Sequence, residues 1–156
     1  IPIALSKNSN WSVTALEVDQ GAVDLALGNA VKNFASVEFI KKDLLEISEL
    51  DEAYNIIVSN PPYIAEKEAD TIKENVLVHE PHLALFIADE DPLLFYRKML
   101  DIGQKSLVKG GKFYFEFNEK YGAEMRELMK QKGYTDIRIV QDLSGKDRFA
   151  VCVKPS

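Results

Sequence analysis

Two adjacent prolines, Pro61 and Pro62, come directly after the apolar run Ile56-Ile57-Val58 and the polar pair Ser59-Asn60. Proline has no N–H to give to a β-ladder, and its ring holds φ at about −65°. A strand over Tyr54–Ser59 therefore has to stop at Asn60. The run itself shows no alternation of apolar and polar residues. That is the pattern of a strand buried on both faces, as in a parallel sheet. Parallel neighbours need crossover connections, so helices are expected between the strands.

The flanking sequence supplies them. Residues 12–18 read as a strand with Glu17 near its end. Val23, Ala26, Ala30 and Phe34 recur at three- and four-residue steps, which predicts a helix over residues 20–33 with that face turned inward. Residues 37–40 read as a second strand, ending near Asp43. Residues 64–90 show no clean period and read as a long loop with helical pieces, a length usually reserved for function. Asp91-Pro92 predicts a helix start. Leu93, Tyr96, Leu100, Gly103 and Leu107 mark its apolar face, and Gly110-Gly111 its stop. Residues 112–117 predict a strand with Phe113, Phe115 and Phe117 on one face. Met125, Leu128 and Met129 mark a further helix, closed by Gly133. Residues 137–141 and 149–153, joined through Ser144-Gly145-Lys146-Asp147, read as an antiparallel hairpin. The alternation as a whole predicts one α/β domain over residues 1–156, a doubly wound parallel sheet with an antiparallel edge.

Composition narrows the function classes. With 156 residues, 46% hydrophobic and 28% charged, the chain is globular and long enough to bury a core. No apolar run approaches the ~20 residues of a membrane span, and no cationic leader opens the sequence. Cys152 is the single cysteine, which excludes an internal disulfide and fits a reducing cytoplasm. A net charge of −6 argues against a basic face for nucleic acid. Neither a membrane nor nucleic acid is an expected partner. Trp11 and Cys152 read as packing residues. His79 and His82 flank Glu80-Pro81 without a third ligand, so no metal is expected.

In open parallel sheets, ligands bind beyond the carboxyl ends of the strands. Three such ends carry polar residues here: Glu17, Asp43 and Asn60. A carboxylate at Glu17 can accept both hydroxyls of a ribose, or can simply sit near a positive helix start. Asp43 can accept from the amino group of a purine, or can cap the turn Leu44-Leu45-Glu46. Asn60-Pro61-Pro62-Tyr63 can be an ordinary strand-ending turn. Its position at the end of a buried strand suggests more. Asn60 offers a side-chain carbonyl and Pro61 a backbone carbonyl, in a segment whose prolines cannot pair into a sheet. Tyr63 adds an aromatic face and a hydroxyl. Two fixed acceptors and a ring suit a planar –NH2 group, held so that its nitrogen faces an electrophile.

Three blocks in order, Asn60-Pro61-Pro62-Tyr63-Ile64, His79-Glu80-Pro81 with Ala84-Leu85, and Asp142-Leu143-Ser144-Gly145-Lys146-Asp147-Arg148, resemble the protein-(glutamine) methyltransferases. Among these, the chain is most similar to the release-factor glutamine methyltransferases. Glu17 before its helix, Asn29-Ala30 and Asp43-Leu44-Leu45 also match, and the likeness runs over essentially the whole chain. It implies a Rossmann-like class I fold and S-adenosylmethionine as methyl donor, with S-adenosylhomocysteine as product. The implied substrate is the glutamine of the Gly-Gly-Gln motif in class 1 peptide chain release factors. It further implies that Asn60, Pro61, Pro62 and Tyr63 form the catalytic segment. Glu17, Asp43, Leu44 and Asn60 would hold the cofactor, and Glu80 and Pro81 would line the substrate side. Arg148 near Asp142 reads as a hairpin pair. Phe115-Glu116-Phe117-Asn118 departs from the family's Glu-Ile-Gly, so that turn is expected to differ.

In that family, Ile1-Pro2-Ile3 would follow a glycine-rich loop and a first strand, with a helical domain before them. The expectation is a truncated catalytic domain with no ladder between the strand ending at Glu17 and the strand ending at Asn60. Other readings stay open. They are a glutamine methyltransferase acting on a ribosomal protein, an adenine amino-methyltransferase of DNA or RNA, and a piece with no activity of its own.

Overall fold

The computed structural model describes residues 1–62, 64–65, 86–87 and 91–156. Tyr63, His79, Glu80, Pro81 and His82 lie outside them, as does most of the expected loop over residues 64–90. The described chain forms two compact units, Ile1–Ile47 and Ser48–Ser156.

The first unit begins with α1, Pro2–Asn8. Its cap position, Ile1, makes no side-chain cap bond, and proline occupies the first turn, where a missing N–H costs nothing. The Ser6 hydroxyl donates to the Ser36 carbonyl and accepts from the Ser36 N–H, at 2.8 and 3.0 Å. Strand β1, Thr14–Glu17, leads into α2, Gln20–Lys32, and then into β2, Glu38–Lys41. β1 and β2 pair in parallel, with Glu17 opposite Lys41. Val23 and Ala30 are buried, as the helical period requires, but Phe34 is 96% exposed. The helix ends at Lys32, and Phe34 has swung into the left-handed region at φ 52°, off the inward face. Trp11 also departs from its expected packing role, at 55% exposed.

The second unit is built on a four-stranded sheet ordered β3-β6-β8-β7. β3 is Tyr54–Ser59, β4 Ile64–Ala65 and β5 Phe86–Ile87. After them come α3, Leu94–Ser106, and β6, Leu107–Glu116. The chain closes with α4, Gly122–Gln131, β7, Thr135–Gln141, and β8, Asp147–Val153. β3 pairs with β6 in parallel, and β8 runs antiparallel to both β6 and β7. Among the described residues, β4 and β5 pair only with each other. The second unit is thus a mixed α/β sheet whose β8 and β7 form an antiparallel edge.

Phe113, Phe115 and Phe117 are at most 1% exposed, and Phe113 stacks on Phe115 at 4.7 Å. Each such side chain contributes about 1.5–3 kcal/mol by leaving water. Tyr96, Leu100, Met125 and Met129 bury the inner faces of α3 and α4. Tyr134 closes the group, its hydroxyl donating to the Leu100 carbonyl at 2.8 Å.

Three expectations are corrected in this unit. Helix α3 begins at Leu94, because the Asp91 carboxylate first closes a turn with the Leu93 N–H and then pairs with Arg97 at 2.7 Å. Gly110-Gly111 does not end the helix. It lies within β6, where the register against β3 shifts, and Gly110 adopts φ 74°. Lys154 instead caps α3, its ammonium donating to the Gln104 and Leu107 carbonyls. Finally, Val58 is 39% exposed, so β3 is not covered on both faces. It stands at the edge of its sheet.

Gly103 sits against the Phe113 ring, and an added Cβ would also come within 2.5 Å of the Tyr134 hydroxyl. Gly103→Ala is expected to cost about 1–3 kcal/mol, the usual range for overpacking a filled core, read as a lower urea midpoint. Burial pushes the Cys152 thiol up to about 12 from its ordinary 9.0, and pushes Tyr134 above the usual phenol range. Both groups are neutral when folded and ionise first in the unfolded chain. Their contribution is full below 9.0 and is lost as pH rises toward the folded values. Urea midpoints measured from about pH 7.5 to about pH 10 should fall, and Cys152→Ala should flatten the decline.

Candidate functional site

The carboxyl ends of β1 and β2 place Glu17 and Asp43 at the same end of one parallel pair. The ladder continues past the strands, with the Lys42 N–H donating to the Glu17 carbonyl at 3.1 Å. Oε1 of Glu17 accepts from the Val18 and Asp19 N–H groups at 2.8 and 3.0 Å. These bonds fix the carboxylate just before α2. Oε2 accepts nothing from the described residues. Oδ1 of Asp43 accepts from the Leu45 N–H at 2.8 Å, while the Asp43 carbonyl accepts from the Glu46 N–H at 3.2 Å. Asp43 therefore does cap the turn Leu44-Leu45-Glu46, and its second oxygen is still available. Leu44 beside it is half-buried. Two oriented carboxylates, each with one oxygen in use and one spare, fit a vicinal diol and a neighbouring amino group.

Asn60 leaves the end of β3 in the other unit. The last paired position is Ser59 against Phe115, so Asn60 and Glu116 are the next residues of the two strands beyond the ladder. Asn60 is exposed, Pro61 is buried and Pro62 is half-buried. Neither the Asn60 amide oxygen nor the Pro61 carbonyl accepts a hydrogen bond from a described residue. Pro61 buries its ring and thereby anchors the segment, while the amide of Asn60 remains outside. The arrangement supplies two acceptors that no donor among the described residues consumes.

The third block of the sequence forms the β7–β8 turn. Asp142 accepts from the Ser144 and Lys146 N–H groups at 2.8 and 3.1 Å and pairs with Arg148 at 3.5 Å. The Lys146 N–H is the main cause holding its carboxyl below the usual range. Partial burial opposes that, and Ser144 and Arg148 add to it. Gly145 takes φ 77°, the left-handed step that the turn needs.

Sequence reasoning overlooked two residues that shape these ends. Asp19 caps α2, its Oδ1 accepting from the Ala22 N–H at 2.8 Å. An aspartate one residue before a helical period was the available signal. Tyr96, read only as part of an apolar stripe, donates its hydroxyl to the Glu116 carbonyl at 3.0 Å. The stripe carries no signal for that bond.

The family described as Methyltransferase small domain matches residues 1–86. A release factor glutamine methyltransferase from Flavobacterium psychrophilum is 42% identical over 150 residues, covering 96% of this chain and 53% of that protein. The chain spans about half the length of the curated relatives it matches. Among solved structures, a methyltransferase from Pyrococcus furiosus aligns with TM-score 0.68 at 19% identity, over 93% of this chain and 64% of that one. A release factor-specific protein-(glutamine-N5) methyltransferase from Alicyclobacillus acidocaldarius aligns with TM-score 0.50 at 22% identity, over 95% and 82%. These structural likenesses show the class I methyltransferase fold.

Removing the Asp19 cap leaves the Ala22 N–H unpaired. Asp19→Ala is expected to cost about 1 kcal/mol, and Asp19→Asn much less, by urea titration followed by circular dichroism.

Proposed function

The chain belongs to the Methyltransferase small domain family, and on that premise we propose that it serves a protein-glutamine N-methyltransferase. The proposed donor is S-adenosylmethionine. The proposed acceptor is the glutamine of the Gly-Gly-Gln motif in class 1 peptide chain release factors, and the proposed compartment is the cytoplasm. The observation that carries this reading is the pair of unconsumed acceptors at Asn60 and Pro61, in a chain 42% identical to a release factor glutamine methyltransferase. Among the described residues, no helix is long and apolar enough to cross a membrane.

An amide nitrogen is a poor nucleophile because its lone pair is delocalised into the carbonyl. Hydrogen bonds from the substrate –NH2 to Asn60 Oδ1 and the Pro61 carbonyl favour a bent nitrogen and localise that pair. Both acceptors are neutral, so no ionised base has to be desolvated. Holding the nitrogen in line for attack supplies a proximity contribution that can reach roughly 7–11 kcal/mol in well-oriented systems. The donor, when bound, presents a methyl group on a positively charged sulfur. The spare oxygens of Glu17 and Asp43 suit its ribose hydroxyls and adenine amino group, with Leu44 against the base. Tyr63 would cover the flat face of the substrate amide, and Glu80 and Pro81 would line its approach. The proton leaves after the new C–N bond forms, to water.

The natively expressed protein, incubated with labelled donor, is to be offered a class 1 release factor, a ribosomal protein fraction and adenine-containing DNA and RNA. Tandem mass spectrometry should place one methyl group on the Gly-Gly-Gln glutamine. Label on adenine alone would overturn the glutamine reading, and label on a ribosomal glutamine alone would overturn the release-factor one. Asn60→Ala should lower kcat by on the order of a hundredfold, the scale for a misplaced reactant, with donor affinity by calorimetry little changed.

A further inference from the structure

The turn Asp142–Arg148 stands out in the sequence, yet methyl transfer as described gives it no task. Its placement supplies one. Beyond the pair Ser59–Phe115, the backbone of β6 runs past Asn60 with no further ladder to β3. Two successive carbonyls of this exit, those of Glu116 and Phe117, are held by side chains from elsewhere. The Tyr96 hydroxyl, from α3, donates to Glu116 at 3.0 Å. The Arg148 guanidinium, from β8, donates to Phe117 at 3.4 Å, and the Phe117 N–H donates back to the Arg148 carbonyl at 3.0 Å.

Both holders are themselves held. Tyr96 is 1% exposed and meets Phe115 edge-on at 5.7 Å. Arg148 pairs with Asp142, whose carboxylate is fixed by the Ser144 and Lys146 N–H groups. Lys146 reaches over to Glu119, just past the exit, at 3.0 Å. Asn118 then turns the chain, its side chain accepting from the Lys120 N–H at 3.2 Å.

We propose that Tyr96 and Arg148 are positioning residues for the methyl-transfer site, clamping the exit of β6 so that it forms a fixed wall beside Asn60. The proposal rests on the methyl-transfer reading of Asn60 and Pro61. The clamp acts on the backbone, so it governs the angle at which the bound amide meets its acceptors rather than its affinity. A burial role alone predicts a different outcome. The Tyr96 ring would suffice without its hydroxyl, and any cation would serve in place of the Arg148 fork.

The test uses Tyr96→Phe, Arg148→Lys and Arg148→Ala in the natively expressed protein. Steady-state kinetics are measured on whichever acceptor the wild type methylates. Hydrogen exchange of the Phe117 and Asn118 amides is followed alongside. Expected are about a tenfold loss of kcat in Tyr96→Phe and Arg148→Lys, a larger loss in Arg148→Ala, and KM within about twofold, as for a misplaced reactant. Exchange at residues 117–118 should quicken in all three while the core of β6 stays protected. Unchanged kcat with unchanged exchange would overturn the clamp, as would a rise in KM with kcat preserved. A wild type that methylates something other than glutamine would sink the substrate reading, and the ratio of kcat values would still decide the clamp. Should Tyr96→Phe fail to fold, the two Arg148 variants decide it, since that side chain lies at the rim.

Discussion

Because proline lacks an N–H, a backbone that reaches Pro61 can no longer be drawn into a ladder. The strand ends where the chemistry is proposed, and the carbonyl acceptors there stay outside the sheet's own hydrogen bonding. Several contacts of the second unit hold that end. Pro61 is buried, β3 is zipped to β6 up to Ser59–Phe115, and β6 is pressed by its phenylalanines against α3. The exit of β6 is tied to the β7–β8 turn through Arg148. In the proposed function, that rigidity is what two neutral oxygens need to act as orienting groups.

The first unit has a different physical character. Val23 and Ala30 are its only buried apolar side chains, and Leu25, Val31 and Phe34 of the α2 segment face solvent. Hydrogen bonds order it: the long-range Ser6–Ser36 exchange, and locally the Asp19 cap and the Glu17 and Asp43 carboxylates folded onto their own backbone. Those same bonds orient the two carboxylates. In the proposed function, local structure and ligand binding would therefore depend on the same few contacts.

How much of this was legible in the sequence depended on the range of the governing force. The phenylalanine period of β6, the Met125-Leu128-Met129 stripe and the hairpin at Gly145 follow from nearest-neighbour geometry, and the structure places them as expected. Gly110-Gly111 was misread because glycine stops helices and also permits bulges. Only the register with β3 and the bonds to Lys154 decide between the two. Val58 looked buried because its neighbours are apolar, and exposure is a property of sheet order that composition does not carry. Glu17, Asp43 and Asn60 were visible as polar residues at strand ends. The bond from Tyr96 to Glu116 was not, since it joins residues twenty apart through a hydroxyl that the apolar period hides. The capping reading of Asp43 is the one the structure shows, through one carboxylate oxygen.

The central claim is that Asn60 and Pro61 grip one planar amine. It is tested most directly by a crystal structure of the natively expressed protein with S-adenosylhomocysteine and a Gly-Gly-Gln peptide. The account predicts the glutamine nitrogen within about 3.2 Å of both Asn60 Oδ1 and the Pro61 carbonyl, on a line toward the donor sulfur. A glutamine amide seated elsewhere, with those two oxygens turned to water or to the protein's own N–H groups, would contradict it.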